Sequence, residues 1–415
     1  MASQNWDDHD RSNRYTAYFN AKAYLDSCDK DAILFTIGDN DTFPLWYLQE
    51  VEKYRTDIKI INSSLLATDW YIDQMKRKTY ESDPIPSQLT HKQYRHGSLD
   101  VAYHTGQVQD RWNIDDFMMW ISSSDKRTYV EISEGKFEKF YPTNKLRLTV
   151  NKETVLANGT VKQKDADSIV DYMDLDVDNR GLTKNRILML DILANNNWKH
   201  PIYFTGGANA DEEYIWLKDY LQLDGMAYKL VPIKTKTEYG VLGMGRIDSD
   251  DLYEKVKKWD FGYRGKDFYL DIESRKNSIS YRNTISRLVE ALINEKKFDK
   301  AEEMLDLSFN KMPIEKYHQY AVCLGFPEQY YLINKPEKAK TAANILIRKF
   351  QEQLVYYSQF NKYDLNYLFS EVETQFKMYQ TIAADVNKYD KDEEYKKKVE
   401  EEFLQHIKLF ENLFE

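Results

Sequence analysis

Two short apolar runs with a helical stretch between them constrain this chain most. Ala32-Ile33-Leu34-Phe35-Thr36 has the length and continuity of a strand buried on both faces, and Asp57-Ile58-Lys59-Ile60-Ile61-Asn62 reads as a second. Gly38-Asp39-Asn40-Asp41 breaks the first run, and a helix is predicted from about Phe43 to Tyr54. Strand, loop, helix, strand is a βαβ unit, which implies parallel pairing and a right-handed crossover. Helical spacing is also present over 15–27, where Tyr18, Ala21, Tyr24 and Leu25 share a face, and from about Thr68 through Trp70, Tyr71 and Met75.

The middle of the chain is less regular. Leu146, Leu148 and Val150 alternate as a half-buried strand does, and Val155, Asn158-Gly159 and Val161 predict a hairpin, because Asn-Gly tolerates positive φ. Helical spacing returns over 183–194 through Ile187, Leu190, Ile192 and Leu193. Pro201 to Thr205 reads as a buried strand ended by Gly206-Gly207, followed by a helix around 211–222 and a strand at Tyr228 to Val231. The stretch 240–265, with five glycines, fits a domain boundary.

From about residue 277 the pattern becomes helical. Leu288, Ala301, Leu305 and Pro313 fall at the spacing of a tetratricopeptide unit of about 34 residues. Lys297-Phe298-Asp299-Lys300-Ala301 recurs as Lys335-Pro336-Glu337-Lys338-Ala339, an offset of 38. Apolar stripes follow at Leu365, Phe369, Val372, Phe376, Tyr379, Ala383 and Val386, and at Val399, Phe403, Ile407 and Phe410. The expected architecture is an α/β N-terminal domain with a mostly parallel sheet (1–265, with a β-hairpin insertion near 145–163), then an all-α tetratricopeptide-like domain (266–415).

A net charge of −10 excludes the basic face that nucleic acid needs. No apolar run approaches the roughly 20 residues of a membrane span, and the first residues have no apolar signal core. Met1-Ala2-Ser3 reads as a cloning remnant on a truncated chain. Cys28 and Cys323 form no metal or redox motif, so both are expected to be buried. No nucleophile-elbow, zinc-protease or P-loop signature is present. Asp174, Asp176 and Asp178 alternate like calcium ligands, but glycine is misplaced and Asn185 stands where the closing acid belongs; a solvated acidic loop capping the next helix is expected.

Asp39, Asn40 and Asp41 are the residues to watch. They follow the first strand, and in open α/β sheets ligands sit at the carboxyl ends of strands. Two carboxylates and an amide fit a divalent cation or sugar hydroxyls; they fit equally a turn and cap for the next helix. Asp69, Trp70 and Tyr71, after the second strand, are expected at the same sheet edge, and His9, Asp10 and Arg11 are expected to approach it. Such a set offers acceptor oxygens, an aromatic face and cationic donors; the competing reading is an internal salt-bridge and capping network.

Several of these segments resemble a bacterial family of protein O-mannosyltransferase-like membrane proteins. The resemblance rests on Asn5-Trp6-Asp7-Asp8-His9-Asp10-Arg11-Ser12, on Gly38 through Tyr47, on Asp69-Trp70-Tyr71-Ile72, on Trp198 through Phe204, and on Tyr317 through the Lys335–Ala339 repeat. Asn13, Ile37 and Lys53-Tyr54 depart from the family pattern and leave its Asp-rich motifs intact. The resemblance implies a GT-C type parent: membrane helices, then a large extracytoplasmic region, here on the periplasmic face of a bacterial membrane. It implies a lipid-linked sugar donor for the intact parent, an acceptor protein or glycan as partner, and the membrane-embedded remainder of the same chain as a second partner. The catalytic residue of such enzymes lies among the membrane helices, so this portion is expected to serve acceptor recognition or assembly. The alternative is an independent soluble carbohydrate-active enzyme using the Asp39/Asp41 loop.

Overall fold

The computed structural model describes residues 6–12, 14–206, 213–235, 243–264 and 269–410. Asn5, Asn13, Gly207, the start of the helix expected at 211–222, and Gly240 lie outside them. The chain divides into two compact units, Ala17–Lys255 and Met1–Thr16 with Val256–Glu415. The sequence expectation draws the line later, at 265/266, and keeps the N-terminus with the sheet. The fold class holds: a mixed α/β unit, then helices.

In the α/β unit a six-stranded sheet runs in the order Arg246–Ile247, Leu221–Asp224, Ala227–Leu230, Ile202–Thr205, Ile33–Thr36, Lys59–Asn62. The Ile33–Thr36 strand is central to a parallel trio, with Ile33 opposite both Ile202 and Lys59, and Phe35 opposite both Phe204 and Ile61. Every residue of these three strands is buried, which is why they read as short, mostly apolar runs. Phe35 and Phe204 stack at 5.3 Å across the parallel pair. Lys59 is buried as well; its ammonium donates to the Arg77 carbonyl at 3.0 Å, and burial pushes its pKa down to about 8.

The middle of the chain carries the corrections. The Lys145–Thr149 strand exists, but its antiparallel partner is Tyr172–Asp176, with Leu146 opposite Leu175 and Leu148 opposite Met173. The expected hairpin at Asn158-Gly159 is instead the end of a helix, Lys152–Ala157, capped by the Asn151 side chain on the Thr154 amide at 3.0 Å. Gly159, at φ +75°, stops that helix; Asn-Gly satisfies a helix end as readily as a tight turn. The helix expected at 211–222 is a 3₁₀ turn, Ile215–Tyr220, followed by the Leu221–Asp224 strand. Asp174 and Asp176 lie on a strand rather than in an acidic loop. Arg147 and Arg111 hold Asp174 at 2.8 and 3.4 Å, and Arg111 holds Asp176 at 2.8 Å. Asp178 pairs with Arg180 at 3.1 Å.

The helical unit stacks antiparallel pairs: Ile272–Asn294 with Phe298–Lys311, Gly325–Leu332 with Pro336–Tyr357, and Phe369–Tyr389 with Glu393–Lys408. The first two are joined by the same turn, 38 residues apart. Lys296 and Asn334 are left-handed at φ 59° and 60°. Lys297 N–H reaches Leu292 O at 2.8 Å, and Lys335 N–H reaches Tyr330 O at 2.9 Å. This is the helix stop in which a left-handed residue lets the next amide satisfy an orphan carbonyl five residues back. Ala301 and Ala339 are fully buried at equivalent places, where a small side chain lets the helices close together. Cys323 is buried here and Cys28 in the α/β unit, both as free thiols.

The segment just after Val256 packs on these helices. Trp259 and Phe261 surround Tyr281 at 5.2 and 4.9 Å, and Tyr317 Oη donates to the Phe261 carbonyl at 3.2 Å. A helical fragment beginning at Val256 should therefore fold, while one beginning at residue 266 should lose several kcal/mol, each large apolar side chain contributing roughly 1.5–3 kcal/mol. Equal denaturation midpoints for the two fragments would contradict this. A second expectation concerns Asp385. Burial, with Glu328 nearby, raises its carboxyl to about 6, so the ionised form is disfavoured in the fold. Stability from this group is present below about pH 4 and lost as pH rises through about 6. Asp385→Asn should raise stability at pH 8 by about 1 kcal/mol, discounted for partial exposure, and flatten the dependence between pH 4 and 6. Thermal melts across that range check it.

Candidate functional site

The three parallel strands end in polar residues at one sheet edge: Thr36, Asn62 and Thr205. Immediately beyond the first, Gly38 caps a helix, Asp39–Glu50, so Asp39, Asn40 and Asp41 form its first turn rather than a free loop. Carboxylates are favoured there because the first amides of a helix have no internal acceptor. Asp41 reaches back to the N-cap and to the residue before it. Its Oδ2 accepts from the Ile37 amide at 2.9 Å, its Oδ1 from the Gly38 amide at 2.8 Å, and Thr205 Oγ1 donates to Oδ2 from the neighbouring strand.

Below it lies a buried hydroxyl–amide cluster. Thr42 Oγ1 donates to the Gly38 carbonyl at 2.6 Å and lies 2.7 Å from Thr36 Oγ1 and 3.0 Å from Asn62 Nδ2. Thr42 has a single hydroxyl proton, so both neighbours must donate to it. Asn62 Oδ1 accepts the Leu65 amide at 2.9 Å, and the Asn62 amide donates to Tyr71 Oη at 2.9 Å. Ser64 Oγ donates to the Ile37 carbonyl at 3.0 Å. The segments following the first two strands are thus stitched together at one edge, as the βαβ topology requires. Burial raises the Tyr71 hydroxyl to about 12, so it remains protonated as part of this scaffold.

An outer layer is accessible. Asp39 and Asn40 are exposed, as are Phe43 (51 %) and Trp70 (57 %). Phe43 packs on Trp46 at 5.5 Å, and Trp70 on Tyr71 at 5.6 Å, edge to face. Asp69 opens the Asp69–Met75 helix and accepts the His96 amide at 3.2 Å and the Trp70 amide at 2.8 Å. These two amides hold its carboxyl below the usual carboxylate range.

His9, Asp10 and Arg11 lie in the other unit and are exposed. His9 ends a short helix, Trp6–His9, and Asp10 accepts the Ser12 amide at 2.9 Å and the Ser12 hydroxyl at 2.5 Å. The Ser12 hydroxyl and amide lower the Asp10 pKa. A divalent cation does not fit the Asp39/Asp41 turn, since the Asp41 oxygens already face two amide protons and a hydroxyl. Among the described residues no group of three or more His, Cys, Asp or Glu side chains could hold a metal ion.

Asn62 and Thr205 escaped sequence reasoning. Their signal was present: each apolar parallel strand closes on one Thr or Asn, a polar residue placed where a buried edge needs a donor. Asp41→Ala should destabilise the chain by about 2–4 kcal/mol, the range for removing a charged acceptor from several donors. Asp39→Ala should stay within about 0.5 kcal/mol, as for an exposed side chain. Urea denaturation of the two variants separates these outcomes; equal effects would contradict the assignment.

A profile of the TMEM260-associated domain 2 family matches residues 17–251. No curated protein and no solved structure matches the chain. The match spans more than half of the sequence and runs almost end to end over the α/β unit that carries the stitched sheet edge, so the chain belongs to the TMEM260-associated domain 2 family.

Proposed function

We propose that this chain is the soluble extracytoplasmic portion of a protein O-mannosyltransferase-like, GT-C type membrane glycosyltransferase, and that it recognises the acceptor or supports assembly rather than performing catalysis. Its family ties it to a glycosyltransferase-like membrane protein. No helix among the described residues is long and apolar enough to cross a membrane, so the membrane-embedded remainder and the lipid-linked sugar donor belong to the intact parent in this reading. Attachment at the periplasmic face of a bacterial membrane is part of the same proposal.

The observation that carries the recognition role is the commitment of Asp41. A pair of catalytic carboxylates must each be free to hold a proton, activate water or attack. Asp41 instead accepts three hydrogen bonds from its own scaffold, which leaves Asp39 without a working partner and disfavours an independent carbohydrate-active enzyme at this turn. What remains accessible is Asp39, Asn40, Phe43 and Trp70: hydrogen-bonding groups beside aromatic surface, the chemistry of a recognition patch for a glycan or a polypeptide segment.

The purified chain should transfer no sugar from a lipid-linked mannose donor to a protein acceptor. Robust turnover by the chain alone, followed by release of labelled glycoprotein, would overturn the proposal.

A further inference from the structure

An aromatic cleft lies elsewhere in the α/β unit. It has a volume of about 640 Å³ and is lined by Trp112, Asp116, Met119, Trp120, Asp125 and Arg127, with Ser123 and Thr128 completing the wall. That volume falls within the roughly 300–1,000 Å³ of ligand sites. Trp112 lies on the two-residue strand Trp112–Asn113, and Asp116, Met119 and Trp120 lie on the helix Ile114–Ser122 that follows directly. That helix buries Ile114, Phe117, Met118 and Ile121, which leaves Asp116 and Met119 on its outer side.

The aromatic floor is fixed in place. Trp120 Nε1 donates to the Phe140 carbonyl at 2.8 Å, and its ring meets Phe140 and Trp112 edge to face at 5.5 and 5.7 Å. The polar edge of one indole is therefore used internally. The opposite wall is pinned by Lys139, which donates to Thr128 Oγ1 at 2.6 Å and to the Ser123 carbonyl, with its ammonium 4.1 Å from the Tyr129 ring centre. On the rim, Arg127 and Asp125 neutralise one another at 2.6 Å. Asp116 is exposed and has no ion-pair partner among the described residues. Met119 is 64 % exposed, a flexible apolar side chain left open at the mouth.

We propose that this cleft binds a neutral carbohydrate, with a pyranose ring against the Trp112/Trp120 pair and its hydroxyls on Asp116, Asp125 and Arg127. The charge balance selects the ligand class. The two carboxylates, Asp116 and Asp125, are balanced by Arg127 and by Lys139. Each cation is already engaged, Arg127 by Asp125 and Lys139 by the Ser123 carbonyl and Thr128 hydroxyl, so the cleft presents no net charge that would favour an anion over a neutral ligand. A sugar ring has a weakly positive C–H face that suits the negative face of an aromatic ring, and its hydroxyls donate to carboxylates. Two tryptophans held at a fixed angle present such a surface with little ordering left for binding to impose. This site stands on its own residues and does not rest on the patch at Asp39 and Trp70.

The test is an NMR titration of the full chain, following the indole N–H signals of Trp112 and Trp120. The probes are mannobiose and N,N′-diacetylchitobiose, with inorganic phosphate and an acetylated Ser/Thr-rich peptide as controls. At least one disaccharide should shift the indole signals saturably, while phosphate and peptide do not. Trp112→Ala and Asp116→Ala should each weaken that binding roughly tenfold, the scale of one stacking or charged hydrogen-bond contact, and Asp39→Ala should leave it unchanged. If Trp112→Ala fails to fold, the exposed Asp116→Ala variant decides alone. Absence of a shift with both disaccharides, binding unaffected by the Asp116 change, or a response to peptide or phosphate only would overturn the proposal.

Discussion

The α/β unit depends on one carboxylate. Asp41 sits in the first turn of a helix and reaches back to the amides of Ile37 and Gly38, just before the helix begins, while also holding Thr205 from the adjacent strand. Three chain segments distant in sequence converge on it and on the Thr36–Thr42–Asn62 cluster beneath. Inside a protein such a cluster stabilises only when every member is satisfied; one missing partner leaves a buried polar group unmade. Each hydroxyl and amide at this edge has a partner, so the parallel trio can end in polar residues without leaving a buried group unpaired.

That use of Asp41 governs the chemistry of the edge. A carboxylate facing two amide protons and a hydroxyl has its oxygens engaged by the scaffold and turned away from a substrate. The accessible groups then divide into a fixed inner layer and an outer layer of Asp39, Asn40, Phe43 and Trp70. Recognition follows from such a division more readily than bond breaking, since binding needs contacts and surface, whereas acid–base work needs a proton-bearing group with somewhere to send it. The Trp112/Trp120 cleft adds a pocketed aromatic surface on a different sheet, lined by its own charged rim.

Where physics is local, the residues were legible. The buried parallel strands announce themselves as apolar runs, and the repeat at Lys297 and Lys335 marks two identical helix stops at Lys296 and Asn334. Where a residue pair serves two structures equally, the sequence could not choose. Asn158-Gly159 fits a hairpin turn and a helix end alike; the choice fell to Leu175 and Met173, far along the chain, which complete the partner strand for Leu146 and Leu148. The Asp174–Asp178 alternation looked like a loop because the arginines that hold Asp174 and Asp176, Arg147 on the Lys145–Thr149 strand and Arg111 just before the Trp112–Asn113 strand, come from elsewhere in the sequence. The dual reading of Asp39–Asp41 as cap or ligand set had the same cause, since the donor that distinguishes them for Asp41, Thr205, is contributed from far along the sequence.

The most direct measurement of this account is a double-mutant cycle between Asp41 and Thr205, using Asp41→Ala, Thr205→Val and the pair, each unfolded in urea. A hydrogen bond between a carboxylate and a buried hydroxyl predicts a coupling of about 1–3 kcal/mol, with the second substitution costing much less once the first is present. Additive effects, with no coupling beyond about 0.3 kcal/mol, would show that the carboxylate does not tie the sheet edge and would contradict its assignment as scaffold.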